Sequence, residues 1–244
     1  MEGVFKVMNS PITNELMHRD RSLVLHNEGE WSKTLLNYYA FNDGGIECET
    51  GEFLYGLVRL LKPLRILETG THHGVGASYM ALALQHNNPL LGSGGKEFGA
   101  IDTIEFLPEN FAIAQERFKR MSFIGLQGEK PVVNQYLMDA AKFKPEQKYQ
   151  LILLDTEPQT RFAEFERYWN TLDEGGFLFI HDLHRHMHQI PNEEHGFAWP
   201  YGEITEFIKQ KVASDEARPF HLPTPRGLTG FYKVSSGDYK WQKN

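Results

Sequence analysis

The sequence predicts an α/β protein: a mostly parallel, seven-stranded sheet with helices on both faces, preceded by a helical cap. Three observations carry this. Short strand-like runs alternate with helical periodicity from Arg65 to Val234. One run, YQLILL at Tyr149 to Leu154, is continuously apolar, as strands buried on both faces of a parallel sheet are. Finally, RILETGTHHGVGASYM, Arg65 to Met80, takes a strand straight into a glycine turn and then a helix.

The cap comes first. Helical spacing runs from Trp31 to the Pro63 boundary as WSKTLLNYYAF and GEFLYGLVRLLK, separated by the turn signal Asn42-Asp43-Gly44-Gly45. In the second helix Phe53, Leu57, Leu60 and Leu61 share a stripe expected to pack on the core. Residues 1–63 are therefore read as an accessory cap and 64–244 as one structural unit. Strands are predicted at Arg65–Glu68, Phe98–Asp102, Val132–Met138, Tyr149–Leu154 and Gly176–Ile180. The ending RPFHLPTPRGLTGFYKV supplies two more, joined by a Pro/Gly turn. Helices are predicted at Gly74–Gln85, from Pro108 with Phe111, Ala114, Phe118 and Met121 on one face, and at Gly202–Ala213. Another spans Thr160–Leu172, with Phe162, Phe165, Trp169 and Leu172 on one side.

Composition narrows the function classes. A net charge of −7 without a Lys/Arg run disfavours a nucleic-acid partner, because phosphate binding needs clustered positive charge. Cys48 is the single cysteine, which rules out an intrachain disulfide and makes the reducing cytoplasm the expected setting. The first residues lack the apolar core of a secretion signal, and no membrane partner is expected. The helical content of the first sixty residues is compatible with a homodimer.

The turn has the spacing Glu68-x-Gly70-x-x-x-Gly74-x-Gly76. Its glycines permit a sharp bend and a close ligand approach, and the bare amides of the following helix favour polar or anionic groups. Glu68 suits a ligand with a cationic part. A dinucleotide fingerprint could begin only at Gly74-Val75-Gly76, and Tyr79 then stands where the third glycine belongs. Reading each predicted strand to its end gives Glu68, Asp102, Asp139, Asp155 and Asp182, and ligands of open α/β sheets occupy that edge.

The acid-plus-glycine pattern resembles the cofactor turn of class I S-adenosylmethionine-dependent methyltransferases, a Rossmann-like fold. Over Leu64 to Val234 the order of strand ends resembles that family too. The resemblance implies S-adenosyl-L-methionine as cofactor, held by Glu68, Gly70, Thr71, Gly74 and Gly76. FGAID resembles the segment whose acid bonds both ribose hydroxyls, which implies that role for Asp102, with Glu105 the less favoured substitute. Met138-Asp139-Ala140 resembles the segment that reads adenine, and implies Asp139 and Ala140.

Within the class, the chain looks most like small-molecule O-methyltransferases of the catechol and macrocin type. In these, acids after the fourth and fifth strands hold a divalent cation, usually magnesium; the matching residues in YQLILLD and DEGGFLFIHD are Asp155 and Asp182. Two departures stand out. Pro158 occupies the position of the usual Lys or His base, and no second acid or amide follows Asp182. The histidine-rich loop HDLHRHMHQIPNEEHGFAWP offers replacements: His184 as general base and His181 to complete a metal shell, which would favour a softer metal. The expected activity is methyl transfer to the hydroxyl of a small-molecule acceptor. The alternatives are an NAD(P)-dependent oxidoreductase on a similar sheet and a non-catalytic cofactor-binding module, the latter motivated by Pro158.

Overall fold

A computed structural model describes residues 10–27, 39–41, 45–91, 99–124, 131–157, 159–183, 205–222, 224 and 226–235. The first part of the chain forms α1 (Pro11–Arg19), β1 (Leu25–Asn27), β2 (Tyr39–Phe41) and α2 (Cys48–Leu61). Then follow β3 (Arg65–Thr69), α3 (Val75–Leu91), β4 (Ala100–Glu105), α4 (Pro108–Arg120) and β5 (Val133–Leu137). The remainder is β6 (Tyr149–Leu154), α5 (Arg161–Trp169), β7 (Leu172–His181), α6 (Glu206–Ala213), β8 (Ala217–Leu222) and β9 (Leu228–Lys233).

The main sheet has seven strands in the order β5-β4-β3-β6-β7-β9-β8. The pairs from β5 through β7 are parallel; β9 runs antiparallel to both β7 and β8. Strand order reverses between β3 and β6, so the ligand crevice of such a sheet opens at their carboxyl ends. As its unbroken apolar run predicts, β6 is central, and Leu151 to Leu154 are fully buried. One core, with Ile66, Ile101 and Phe118, lies on the α3/α4 face; the other, with Leu67, Ile152 and Phe165, lies on the α5 face.

Three details of the sequence reading are corrected. Tyr39–Phe41 is a strand paired with β1, not the end of a helix; aromatic residues favour this extended edge, which buries Phe41. The rest of that expected helix, with Trp31, lies outside the described residues. In α2 the buried face is Cys48, Gly51, Leu54 and Val58; of the predicted stripe, Phe53 and Leu57 pack partly buried against the core, whereas Leu60 is 77% exposed. Gly51 sets that rotation, because a Cβ there would lie 2.4 Å from the Tyr79 ring. Helix α5 stops at Trp169, and Leu172 opens β7 instead.

The amino-terminal segment is tied to the sheet by buried polar contacts. Asp20, at the end of α1, pairs with Arg117 and Arg120 of α4, each Nε at 3.0 Å. Burial alone would raise the Asp20 carboxyl, but Arg120, Ser22 and Arg117 outweigh it and hold it well below the usual range. Tyr79, fully buried, shares a 2.8 Å hydrogen bond with the Thr13 hydroxyl. No helix among the described residues is long and apolar enough to cross a membrane.

Candidate active site

The glycine turn closes β3 onto its neighbours. Gly70 has φ +83°, and a Cβ there would lie 2.2 Å from the Asp155 carbonyl oxygen, so only glycine lets the ends of β3 and β6 come together. The amides of Gly70 and Thr71 both donate to the Ile104 carbonyl at 3.0 Å, which anchors the turn to β4. Gly76, in the first turn of α3, stands against Glu68, whose Oε1 would be 2.7 Å from an added Cβ. Acid and glycine thus interlock beneath the turn.

Glu68 itself is buried, and it accepts a 2.5 Å hydrogen bond from the Thr103 hydroxyl. Burial pushes its carboxyl up to about 8; Thr103 opposes the rise, and the nearby Asp155 and Glu105 add to it. A cationic ligand group at this turn would therefore meet a site that ionises as it binds.

The structure revises the second strand. Asp102 lies in the middle of β4, opposite Leu67, with its side chain held by Asn134 at 2.9 Å and the Tyr149 hydroxyl at 2.7 Å. The cavity it lines, with Asn134, Tyr136, Phe143 and Tyr149, contains no residue of the glycine turn. The strand runs on through Thr103 and Ile104 and ends in Glu105. Glu105 accepts from the amides of His72 at 2.7 Å and Leu107 at 2.8 Å, beside the turn. Side chains alternate between faces, so Glu105 shares a face with Thr103, which bonds Glu68, and Asp102 faces away.

Asp139 follows β5 and caps a short 3-10 turn, accepting from the Ala141 amide at 2.8 Å; Ala140 beside it is buried. The Met138 amide donates to the Glu105 carbonyl at 2.8 Å, so these two strand ends form a continuous rim. His72 and His73 stack with ring centroids 4.1 Å apart, and His72 has φ +48°.

On the other side of the crevice, the predicted trio of Asp155, His181 and Asp182 does converge, with one potential ligand atom of each within 4.8 Å of the others. Three residues not anticipated from the sequence join them. Arg161, the first residue of α5, reaches Asp155 at 3.1 Å and Asp182 at 3.2 Å through one nitrogen. Arg226, in the β8–β9 turn, lies 2.7 Å from Asp182 Oδ2 through Nη2. Its Nε is 2.6 Å from Oδ1, but off the N–H direction, so this is an ion pair rather than a second hydrogen bond. Glu47, ahead of α2, meets His181 Nε2 at 2.5 Å and accepts from the Arg226 amide at 2.7 Å.

His181 thus sits between carboxylates, with Nδ1 2.9 Å from Asp155. Burial would depress its pKa, but Asp155, Asp182 and Glu47 reverse that and push it up to about 10. Burial likewise favours a neutral Glu47, yet His181 and Arg226 hold it below the usual range; Arg226, His181 and Arg161 do the same for Asp182. Asp182 also has φ +59°, a conformation that costs about 1–3 kcal/mol and that the surrounding ion pairs enforce. His184, the expected base, lies outside the described residues. Cys48 is no nucleophile: burial pushes its thiol up to about 12.

Comparison with known proteins agrees with this fold. Residues 67–183 match a family model described as a methyltransferase domain. A search of curated proteins finds no match. Among solved structures, the O-methyltransferase TomG from Streptomyces achromogenes, in complex with SAM, is 14% identical with a TM-score of 0.62, covering 95% of this chain and 93% of that one. An O-methyltransferase from Bacillus cereus, in complex with SAH, is 16% identical with a TM-score of 0.59, covering 93% of each. SAH-bound methyltransferase from Podospora anserina is 15% identical with a TM-score of 0.57, covering 93% of this chain and 97% of that one. Residues 67–183 are thus similar to a methyltransferase domain, and the chain shares its fold with these solved methyltransferase structures.

Proposed function

We propose that this protein transfers the methyl group of S-adenosylmethionine to a hydroxyl oxygen of a small-molecule acceptor. The observation that carries the proposal is the interlocked turn of Glu68, Gly70 and Gly76 at the point where strand order reverses, continuous with Glu105 and Asp139 on the neighbouring strand ends. Transfer to oxygen is supported by the likeness to two structures named O-methyltransferases.

In this arrangement the methionine portion lies over Gly70 and Thr71, Glu105 receives the ribose hydroxyls, and Asp139 with Ala140 faces adenine. The sulfonium then points across β3 toward the ends of β6 and β7. Its positive charge disperses as the oxygen attacks, so the protein's work is to align the two reactants and keep water out. His181 holds protons on its carboxylate partners' behalf and is not the base; His184 is the proposed one. Residues 1–63 are proposed as the cap over the acceptor side, through Glu47.

Isothermal titration calorimetry with S-adenosylhomocysteine tests the cofactor assignment. One site per chain is expected, and no binding at millimolar ligand would refute it. A paired measurement tests the revised ribose acid. Glu105→Ala is expected to weaken that binding about 10- to 100-fold, the worth of charged hydrogen bonds. Asp102→Ala should leave affinity within about 2-fold, yet lower the unfolding midpoint by stranding Tyr149 and Asn134.

A further inference from the structure

We infer that the acids on the acceptor side are closed to divalent cations by the protein's own arginines, so that Asp155 and Asp182 form the anionic half of a fixed ion-pair network rather than a metal site. This rests on the methyltransferase reading, which is what makes a cation expected here.

The donor set decides the matter. A hard cation such as magnesium takes carboxylate oxygens with their lone pairs free to face it. Here Asp182 Oδ2 accepts from Arg226 at 2.7 Å and from Arg161 at 3.2 Å, while Oδ1 accepts no hydrogen bond but is ion-paired with Arg226 Nε at 2.6 Å, so a cation approaching it would meet that guanidinium charge. Asp155 Oδ1 is shared between Arg161 at 3.1 Å and His181 Nδ1 at 2.9 Å. The remaining nitrogen of His181 is engaged by Glu47 at 2.5 Å, so neither ring nitrogen offers a lone pair toward an incoming ion.

The arginines are fixed in these positions. Arg161 is 3% exposed, and its other nitrogens donate to backbone oxygens, Nε to Thr156 at 2.6 Å and Nη1 to His181 at 2.5 Å. Arg226 is anchored through Nη1 to the Gly45 carbonyl at 2.9 Å. Metal entry would require two guanidinium groups to leave carboxylates that they bind inside the protein, and Arg161 has no solvent to move into. The residues as arranged therefore do not fit a divalent ion. The guanidinium charge takes the place such an ion would occupy, and it fastens β6, β7, α5 and the β8–β9 turn to one another.

Manganese is a direct probe, because its electron paramagnetic resonance signal in water is lost on binding. Chelator-treated, dialysed full-length protein is titrated with manganese, and the same preparation is tested for S-adenosylhomocysteine binding. The inference expects the manganese signal at equimolar metal to match that of protein-free buffer while the nucleoside still binds. Uptake of one manganese per chain, abolished by Asp182→Asn, would overturn it and leave the cofactor assignment standing. Failure to bind S-adenosylhomocysteine would sink the cofactor assignment alone. The double variant Arg161→Gln/Arg226→Gln, with folding checked by circular dichroism, should gain uptake of one manganese. A folded double variant that gains none would overturn the role given to the two arginines. Should that variant not fold, the wild-type titration still decides between the two outcomes.

Discussion

Gly70→Ala is expected to lower the stability of the protein by about 4 kcal/mol and to abolish S-adenosylhomocysteine binding. Two costs add. A non-glycine residue held at positive φ costs about 1–3 kcal/mol, and forcing extra volume into a packed site costs about 1–3 kcal/mol more. The second cost is not easily relieved at this position. The atom in the way is the Asp155 carbonyl oxygen, 2.2 Å from the added methyl, and it belongs to the backbone rather than to a side chain that could swing aside. Relief would come only by parting β3 from β6, which opens the cradle that the ligand needs. Urea unfolding followed by circular dichroism gives the stability change, and calorimetry the loss of binding. An alanine variant within about 1 kcal/mol of wild type would show that the two strand ends are not in contact.

Glu68→Gln is expected to flatten the pH dependence of stability between about pH 5 and 8, in a direction opposite to that of an ordinary salt-bridged acid. The folded-state pKa of Glu68, about 8, lies above the 4.5 of an exposed glutamate. Between those values the folded protein keeps a proton that the unfolded chain has released. The contribution is fully present below the lower value and is lost as pH rises through the upper one, a change on the order of 4 kcal/mol. Glutamine mimics the neutral acid at every pH, so the variant should lose less stability than wild type over this interval. Thermal unfolding at pH 5, 6.5 and 8 measures the difference. A parallel decline in both proteins would show that Glu68 is ionised in the folded state. The same proton gives binding a signature: the heat of S-adenosylhomocysteine binding to wild type should vary with the ionisation enthalpy of the buffer, and that to the variant much less.

The sheet was legible because each strand announces itself by composition and each connection by its turn residues. YQLILL could hardly be anything but a central strand, and Gly74 to Gln85 could only follow as a helix. What the linear pattern hid was register. IDTIE contains two acids, and choosing Asp102 ended the strand three residues early. Parity held the remedy: Glu105 lies two residues beyond Thr103, on the face toward α3, whereas Asp102 lies on the other. The convergence of Asp155, His181 and Asp182 was visible from their places at strand ends. Their neutralisation was not, because Glu47 and Arg226 come from opposite ends of the described chain and no local pattern joins them. Arg161 did leave a trace. A cation at the first residue of a helix opposes the helix dipole, so an arginine there implies acids waiting for it.

The hydrogen bond from the Arg226 amide to Glu47 spans 179 positions. Closing so long a loop must be met in chain entropy before any ion pair at this corner is gained. The nucleotide rim, built from β3, β4 and β5, needs no such closure. The two halves of the crevice therefore differ in what completes them: the rim draws on neighbouring stretches of chain, whereas the acceptor corner is finished only when Glu47 and Arg226 meet.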